Sequence, residues 1–576
     1  MAGFDEAGLT GSKYIRESLA NCSDEPTLAI FLESFQQDNS ILLPSLQQAL
    51  PLLDLHNIPR YEFHHTVMEN LREKLQSRFE VIGNEKLLLL LEQAFSFIKV
   101  PSLRPVVMDM LRRVTTVPPK FIDALAKDPE LYNDCSMEVK RQIWIQHQPL
   151  FGDAVGPLLN EYLKDKNSVI FDTEDFACHD FLTIQPKVRR QHTVVQRLSV
   201  MIGKSLQLYN LALQFLRTLF LRTKEAHYCT LRAELLMAIH DLDVKEIKDV
   251  DPCHKFIWSL DACVRRQLID SSKIKDLRGY MKAAKTIDEQ VLGDIAMVLC
   301  DPFAINVVGK SIIKVLHHLT TNEALPRTSQ DLTFLLSLLH LGLGAWRMIE
   351  SQVFKENFLS NDLVVRFIPV VMALTVEDSV HSIEQKLPNK NDTNFEIHHS
   401  FEQSLSEYSI CFTIAFYLAL HMAKHKNQHA LRFLLPPIAS SYGNHIFHDA
   451  HLHSLVTVWA SSPDEFANMK FCDMVFDHFL LAILSEGAAL NQTLRLLNFV
   501  YLKMEYNKVV AILTATQPSH ENSEEIHRLH KSIVDKLAGT NSGSQSWSSL
   551  EQPMSASSSG NSAASSPLNY LPPSSV

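Results

Sequence analysis

The fold class is decided by the stretch KSLQLYNLALQFLRTLFLRT, residues 204–223. Its apolar residues recur at three- and four-residue steps, and polar residues fall between them. The apolar positions are Leu208, Leu211, Ala212, Phe215 and Leu219, and the polar ones are Gln207, Asn210, Gln214 and Arg217. This spacing predicts an α-helix that packs its apolar face against a neighbouring helix.

Similar helical periodicity recurs along the chain, and strand-like alternation is nearly absent. Glycine supplies only 17 of 576 residues, whereas its usual share is about 7%. Several helix starts are marked by an acidic or hydroxyl residue followed by proline, because proline has no N–H to leave unpaired in the first turn. These starts are predicted at Asp128-Pro129, Asp251-Pro252, Asp301-Pro302 and Ser462-Pro463. The sequence therefore predicts an all-α protein.

So many helices with short connectors do not fit a single bundle. The most economical arrangement is a HEAT-like α-solenoid, in which antiparallel helix pairs stack on one another. No fixed sequence period is present, which argues against tetratricopeptide and ankyrin repeats but is compatible with degenerate helix pairs. A compact all-α fold remains the alternative.

Two polar breaks in the pattern, near residues 172–186 and 384–400, suggest the domain organisation. We predict an N-terminal helical region over residues 1–180, a central helical array over 181–390 and a C-terminal helical region over 391–538. Residues 539–576 are rich in serine and contain a single charged residue, Glu551. Such a segment buries too little apolar surface to offset its ordering entropy, so a disordered tail is predicted.

Composition limits the partners. The 54 basic and 65 acidic residues give a net charge of −11, which argues against a surface that coats nucleic acid or an anionic membrane everywhere. The longest apolar run, residues 332–346, contains His340 and is shorter than the roughly 20 residues that span a bilayer. No membrane association is expected.

The motifs of common enzymes are missing. The sequence contains no P-loop, dinucleotide-binding, zinc-protease or serine-hydrolase signature. Its cysteines are scattered and form no C-x-x-C pair, and His227 with Cys229 and Cys253 with His254 are the nearest approach to a metal cluster. We therefore expect no enzyme activity, no cofactor and no metal. Cysteine–histidine catalysis stays an alternative, because its members would meet only in the fold.

One segment is strongly basic. Residues 185–235 contain nine basic and two acidic residues. The basic residues are Lys187, Arg189, Arg190, Arg197, Lys204, Arg217, Arg222, Lys224 and Arg232. If they share a face, they are candidates to bind a nucleic-acid backbone or an acidic partner. Reversal of Arg189, Arg190 and Arg197 to glutamate is then expected to weaken RNA binding without loss of thermal stability. The alternative is that these arginines cap helices or pair with acidic residues of neighbouring repeats.

A family resemblance is carried by several long strings of residues. They include ILLPSLQQALPLLDLH (41–56), VPSLRPVVM (100–108), EVKRQIW (138–144), LQFLRTLFLRT (213–223), HYCTLRAELLM (227–237), VDPCHKF (250–256) and VLGDIAMVLCDPFAIN (291–306). On these strings the chain resembles the negative elongation factor B family, with the resemblance covering roughly residues 30–380.

The resemblance implies a non-catalytic HEAT-like scaffold in a four-subunit nuclear complex. In that complex, negative elongation factor B links the pair formed by negative elongation factors A and C, or D in place of C, to negative elongation factor E. The complex acts with the DRB-sensitivity-inducing factor to hold RNA polymerase II in promoter-proximal pausing, and its subunits contact nascent RNA. The resemblance thus predicts a nuclear repressor of transcription elongation.

Two other functions fit the residues alone. A free-standing RNA-binding helical protein would use the basic segment and would bind tightly without partners. A generic helical adaptor fits the composition equally well.

Overall fold

The computed structural model describes residues 60–171, 180–356, 359–360, 362–384 and 399–540. Both predicted domain breaks lie largely outside these ranges, as do the string at 41–56 and nearly all of the predicted tail at 539–576. The four-region division stays a prediction.

The described residues form 27 α-helices and no β-strand. Helices α1–α9 span Arg60–Val81, Asn84–Ala94, Arg104–Arg113, Pro119–Lys127, Pro129–Asp134, Met137–Gln146, Gln148–Phe171, Pro186–Arg190 and Thr193–Ile202. Helices α10–α18 span Leu206–Thr223, His227–Asp241, Lys245–Lys248, His254–Arg266, Ser271–Lys285, Val291–Leu299, Pro302–Thr321, Gln330–Leu343 and Ala345–Ser351. Helices α19–α27 span Ile368–Glu384, His399–Glu407, Ser409–Lys424, Gln428–Ser441, Asp449–Ala460, Met469–Cys472, Ala489–Val500, Tyr506–Ala515 and Glu524–Thr540. The all-α prediction is confirmed.

Neighbouring helices in the sequence pack on each other. The pairs α10 with α11, α13 with α14, α16 with α17 and α21 with α22 are all in contact. Their connectors are short, and short connectors place successive helices antiparallel. Helices α16 and α21 belong to different pairs, and they also contact each other. This stacking of helix pairs is the architecture of an α-solenoid.

The predicted helix starts are only partly correct. Asp128 accepts hydrogen bonds from the N–H groups of Glu130 and Leu131 at the start of α5, and Asp301 caps α16 in the same way. Helix α13 begins two residues later than predicted, at His254, because Asp251 holds the N–H of Cys253 in the preceding turn. Ser462 precedes a short 3₁₀ helix, Pro463–Ala467.

The apolar face of α10 is rotated from the predicted one. Leu208 and Ala212 are buried as expected, but the other fully buried residues are Tyr209, Leu216 and Phe220. Leu211, Phe215 and Leu219 are only partly buried against the same core. Helix α10 packs against α6, α11 and α18, so several of its sides contact neighbours. A single-stripe pattern therefore describes only part of its burial.

The core consists of two apolar clusters. A smaller one runs from Leu71 to Ile143, and a larger one from Trp144 to Leu537. The larger cluster contains residues from both sides of each predicted domain break. The central and C-terminal regions thus share one core among the described residues.

The end of α7 is held by a helix far along the chain. Asn491 donates to the carbonyl of Phe171 at 2.8 Å, and Gln492 donates to the carbonyl of Ile170 at 2.8 Å. Arg495 donates to the same Ile170 carbonyl. These side chains of α25 satisfy carbonyl groups that a helix end leaves without intrahelical partners. The stack is therefore not strictly one-dimensional, since in an ideal solenoid each repeat contacts only its neighbours.

Within the described part of the chain, no single helix is long and apolar enough to cross a bilayer. Three bent helix pairs reach that length and composition only when taken together.

Candidate functional site

The nine basic residues are distributed over four helices and their connectors. Helix α8 carries three of them, α9 one, α10 two and α11 one, and the other two lie at the ends of α9 and α10. Two of the nine, Arg189 and Arg232, are buried in the core. The structure therefore does not place all nine on one surface.

Arg189 lies at the centre of a buried ion network. Its Nε donates to Glu234 at 2.9 Å, and one of its terminal nitrogens donates to Asp301 at 2.9 Å. The guanidinium also stacks over the ring of Phe303, 3.7 Å from its centroid. These partners belong to α11, to the N-cap of α16 and to α16 itself. Arg189 thus joins α8 to two other helices and is not free to contact a phosphate.

Glu234 and Asp301 have further partners in the same network. Glu234 accepts from the hydroxyl of Tyr162 at 2.8 Å and from Lys166 at 3.1 Å, both on α7. Asp301 accepts from the hydroxyl of Thr230 at 2.9 Å. Two cations and two carboxylates therefore face each other in the interior, as buried charges require.

The pKa values in the network follow from this pairing. Burial alone would favour the neutral forms, but Asp301 and Glu234 outweigh it and raise the pKa of the Arg189 guanidinium above its usual value. At Glu234, burial is likewise outweighed by Lys166 and Arg189, which lower the pKa of the carboxyl. Both groups stay charged at neutral pH, and each depends on the other.

A second network holds the other buried arginine. Arg232 of α11 lies 3.5 Å from Asp294 of α15, and Arg217 of α10 donates to the same carboxylate. Near them, the hydroxyl of Tyr209 donates to Asp251 at 2.6 Å. One acidic residue on α15 therefore ties two basic-segment helices together.

Arg190 is the fourth basic residue that is paired within the fold. It donates to Asp241 at 2.9 Å and to Asp261, which belong to α11 and α13. For Arg189, Arg190, Arg217 and Arg232, the alternative interpretation, pairing with acidic residues of neighbouring helices, is the one that the structure supports. Reversal of Arg189 and Arg190 would set carboxylates against carboxylates, so a loss of stability is now expected for these two residues.

The five other basic residues are exposed. Arg197 and Lys204 have side chains that are 60% and 78% accessible, with their acidic neighbours Glu161 and Glu246 at 3.4 and 3.6 Å. Lys224 lies over the ring of Trp346, 4.3 Å from its centroid. Lys187 and Arg222 are also on the surface. Binding of RNA or of an acidic partner by these five stays a prediction.

The acidic partners were missed from the sequence, although a signal for them exists. Glu234 and Asp294 interrupt the nearly continuous apolar strings RAELLMAI and VLGDIAMVL. Charged residues are rarely buried unless they are paired. A charge inside a string with no polar face therefore indicates a buried ion pair, but not the identity of its partner.

The described thiols give little support to cysteine catalysis. Burial raises the pKa of six of them, whereas a nucleophilic cysteine needs a lowered one. These residues are Cys135, Cys229, Cys253, Cys263, Cys411 and Cys472. The value reaches about 11 for Cys135 and Cys472 and about 12 for Cys263.

A cavity of about 360 Å³ lies beside the first network, at the N-terminal ends of α11 and α23. Its walls include Phe220, Trp346, Glu225 and His448. Glu225, His448 and the adjacent His227 form the one group of three or more metal-ligating side chains found among the described residues. Burial and the neighbouring His448 lower the pKa of His227 well below its usual value, so this ring is neutral.

The stacked helix pairs and their internal charge networks define a protein of the α-solenoid class. Its helices are fixed to one another by buried ion pairs as well as by apolar contacts. Proteins of this class present extended surfaces to other macromolecules.

Comparison with known proteins identifies the family. Residues 101–440 match the family model described as Cofactor of BRCA1 (COBRA1). The chain is 44% identical over 549 residues to negative elongation factor B of Mus musculus and of Homo sapiens, covering 93% of this chain and 94% of each relative. It is 42% identical over 551 residues to negative elongation factor B of Drosophila melanogaster, covering 93% and 92%. The chain belongs to the negative elongation factor B family.

The similarity therefore extends beyond the strings that first carried the resemblance. An alignment over 93% of the chain includes much of the C-terminal region.

Proposed function

We propose that this protein acts as the scaffold of a negative elongation factor complex, in the place of negative elongation factor B. In this role it bridges negative elongation factors A and C, or D, to negative elongation factor E. The observation that carries the proposal is the 44% identity to negative elongation factor B over nearly the full length of both chains. Identity at this level over whole chains is compatible with an equivalent set of partner surfaces.

The fold suits a scaffold because its surfaces are held in fixed relative positions. The Arg189 network ties together α7, α8, α11 and α16, and the α25 side chains secure the end of α7. A partner helix that docks on such a surface meets groups that are already in place, which reduces the entropy lost on binding. Apolar side chains are available for docking at the connection of α25 and α26, where Leu502 and Tyr506 are exposed.

The first experiment is affinity purification of the tagged full-length chain from nuclear extract, with mass spectrometry of stoichiometric partners. We expect negative elongation factors A, C or D, and E. A variant with Leu502→Glu and Tyr506→Glu is expected to lose one of them, whereas Ile287→Glu, at another exposed apolar position, should lose none. A wild-type chain recovered alone or with unrelated proteins would contradict the scaffold function and favour a generic adaptor.

The proposed output is promoter-proximal pausing of RNA polymerase II in the nucleus, together with the DRB-sensitivity-inducing factor. It is tested by transcription with purified polymerase and that factor, with the complex added complete or without this chain. Omission of the chain is expected to shorten the pauses. Equal pausing with and without the chain would contradict the proposal, and imaging of the tagged protein in cells tests the nuclear location.

A second candidate function is contact with nascent RNA through exposed basic residues. Lys187, Arg197 and Lys204 favour it, since they lie on consecutive helices and connectors and point to solvent. A free-standing RNA-binding protein would bind RNA equally well without partners. Within the complex, these residues would instead add to contacts that the other proteins of the complex make.

A further inference from the structure

The N-terminal ends of α11 and α23 bring three metal-ligating side chains together. Glu225 and His227 flank the start of α11, and His448 is the N-cap residue of α23. Their ligand atoms all lie within 4.8 Å of one another. Sequence spacing does not predict this group, because His448 is far from the other two residues along the chain.

His227 supplies an independent indication of a ligand. Its side chain is fully buried, and neither ring nitrogen has a hydrogen-bond partner among the described residues. The ring makes T-shaped contacts with the rings of Phe181 and His448, whose centroids are 5.9 and 4.5 Å away. Neither contact satisfies a ring nitrogen. Buried polar atoms nearly always have a bonding partner. The two unpartnered ring nitrogens therefore indicate that a ligand binds His227 in this site.

The spacing of the other two residues fits a shared ion better than a direct bond. Nε2 of His448 lies 3.7 Å from a carboxylate oxygen of Glu225, which is too long for a hydrogen bond. Two ligands of one tetrahedral zinc ion, each about 2.0–2.1 Å from the metal, lie about 3.4 Å apart. The observed distance is close to that value.

We propose that Glu225, His227 and His448 bind one divalent transition-metal ion of the zinc type. Two imidazoles and one carboxylate are a donor set that zinc accepts, and a tetrahedral ion then has one further position. Glu225 and His448 line the cavity of about 360 Å³, which is large enough to admit a water molecule as the further ligand. The ion would join the start of α11 to the start of α23.

One existing interaction competes with the metal. Nδ1 of His448 accepts the backbone N–H of Ala450 at 3.1 Å. An imidazole that binds metal through Nε2 carries its proton on Nδ1, so loading the site releases this capping bond. The Glu225 carboxylate accepts the backbone N–H of His227 and still has oxygen lone pairs for an ion.

The test uses the full-length chain with any copurifying proteins, after treatment with a chelator. Cobalt is added as a spectroscopic probe, and zinc is then titrated in competition. We expect one equivalent of cobalt with the intense visible absorption of tetrahedral coordination, displaced by one equivalent of zinc. We also expect zinc to raise the thermal midpoint of the wild-type chain.

Two variants separate metal binding from folding. His448→Asn removes the imidazole but keeps an oxygen that can cap the N–H of Ala450. Without metal, its thermal midpoint should therefore equal that of the metal-free wild type. Both His448→Asn and Glu225→Gln should lose the tetrahedral cobalt absorption and the increase in thermal midpoint on addition of zinc. His254→Gln, which changes a histidine of α13 outside the site, is the matched control and should keep both. A wild-type chain with only octahedral cobalt, or equal binding by wild type and His448→Asn, would overturn the proposal.

Discussion

Arg189 donates to the carboxylate of Asp301 at 2.9 Å, across 112 positions of the chain. The same guanidinium donates to Glu234, 45 positions away. Both acidic residues lie in the interior with Arg189. A residue that the sequence suggested as a phosphate contact is therefore a connection between three helices.

This network predicts a large loss of stability when Arg189 is removed. Arg189→Met leaves two buried carboxylates with less compensation, and breaking a buried pair in this way costs about 3–5 kcal/mol. Arg197→Met is the control, since its pair with Glu161 is exposed and such pairs contribute at most about 1 kcal/mol. Urea midpoints from circular dichroism compare the two variants. Similar midpoints would show that the Arg189 network does not stabilise the fold.

Asp301 shows how far the sequence can be interpreted. An aspartate followed by proline predicts a helix start, and Asp301 does cap α16 through the N–H of Phe303. Another of its partners, Arg189, lies on a helix that is distant in sequence, and no local pattern identifies it. The helices follow from periodicity, which is a local property. The ion networks depend on which helices meet, and that is fixed only by the packing of the whole chain.

The group of Glu225, His227 and His448 illustrates the same limit. The sequence spacing pairs His227 with Cys229, whereas in the structure the ligand-type neighbours of His227 are Glu225 and His448. His448 belongs to a helix that is distant in sequence. The burial of His227 is likewise a tertiary property. The fold class could thus be predicted from the sequence, whereas the composition of the candidate sites could not.

Close packing between helices predicts opposite effects of alanine at two glycines. In α17, a Cβ at Gly342 would lie 2.6 Å from the backbone oxygen of Leu299, which cannot rotate away. Gly342→Ala should therefore destabilise the fold by about 1–3 kcal/mol, the usual range for overpacking. In α14, Gly279 has open space, and Gly279→Ala should stabilise by up to about 1 kcal/mol through helix propensity.

Thermal midpoints of the two glycine variants provide the measurement. Both substitutions add the same methyl group to a helix, so a difference in sign isolates the contact with Leu299. If both variants were stabilised, α17 would have to lie further from α15 than the structure places it.

Acidification should destabilise the protein partly through His421. Burial, together with His425 and His317, lowers the pKa of His421 to about 4, whereas an unfolded histidine has a pKa of about 6.5. Between these values the unfolded state binds more protons, so stability falls as pH decreases from about 6.5 to about 4. His421→Gln should lose less stability than the wild type over this interval.

The measurement for His421 is the difference in thermal midpoint between variant and wild type at pH 7 and pH 5. His399→Gln is the control, because His399 is almost fully exposed. A midpoint difference for His421→Gln that does not change with pH would mean that its ring titrates alike in the folded and unfolded states.

RNA binding by the exposed basic residues can be tested without disturbing the ion networks. The variant Lys187→Glu, Arg197→Glu, Lys204→Glu reverses three surface charges, whereas Arg189, Arg190, Arg217 and Arg232 remain in place. If these residues contact phosphates, affinity for single-stranded RNA should fall. The slope of log K against log salt should also decrease, by about 0.7 for each lost contact.

The control variant changes the net charge by the same amount at another surface. It replaces with glutamate three exposed lysines of α13 and α14, outside the basic segment: Lys255, Lys275 and Lys282. If the control triple weakens RNA binding as much as the test triple, the effect is one of net charge and not of contact. Both triples should melt close to the wild type, because exposed charges contribute little to folding. A selective loss of affinity in the test triple, with the salt slope reduced, would assign the phosphate contacts to the surface of α8 and α9.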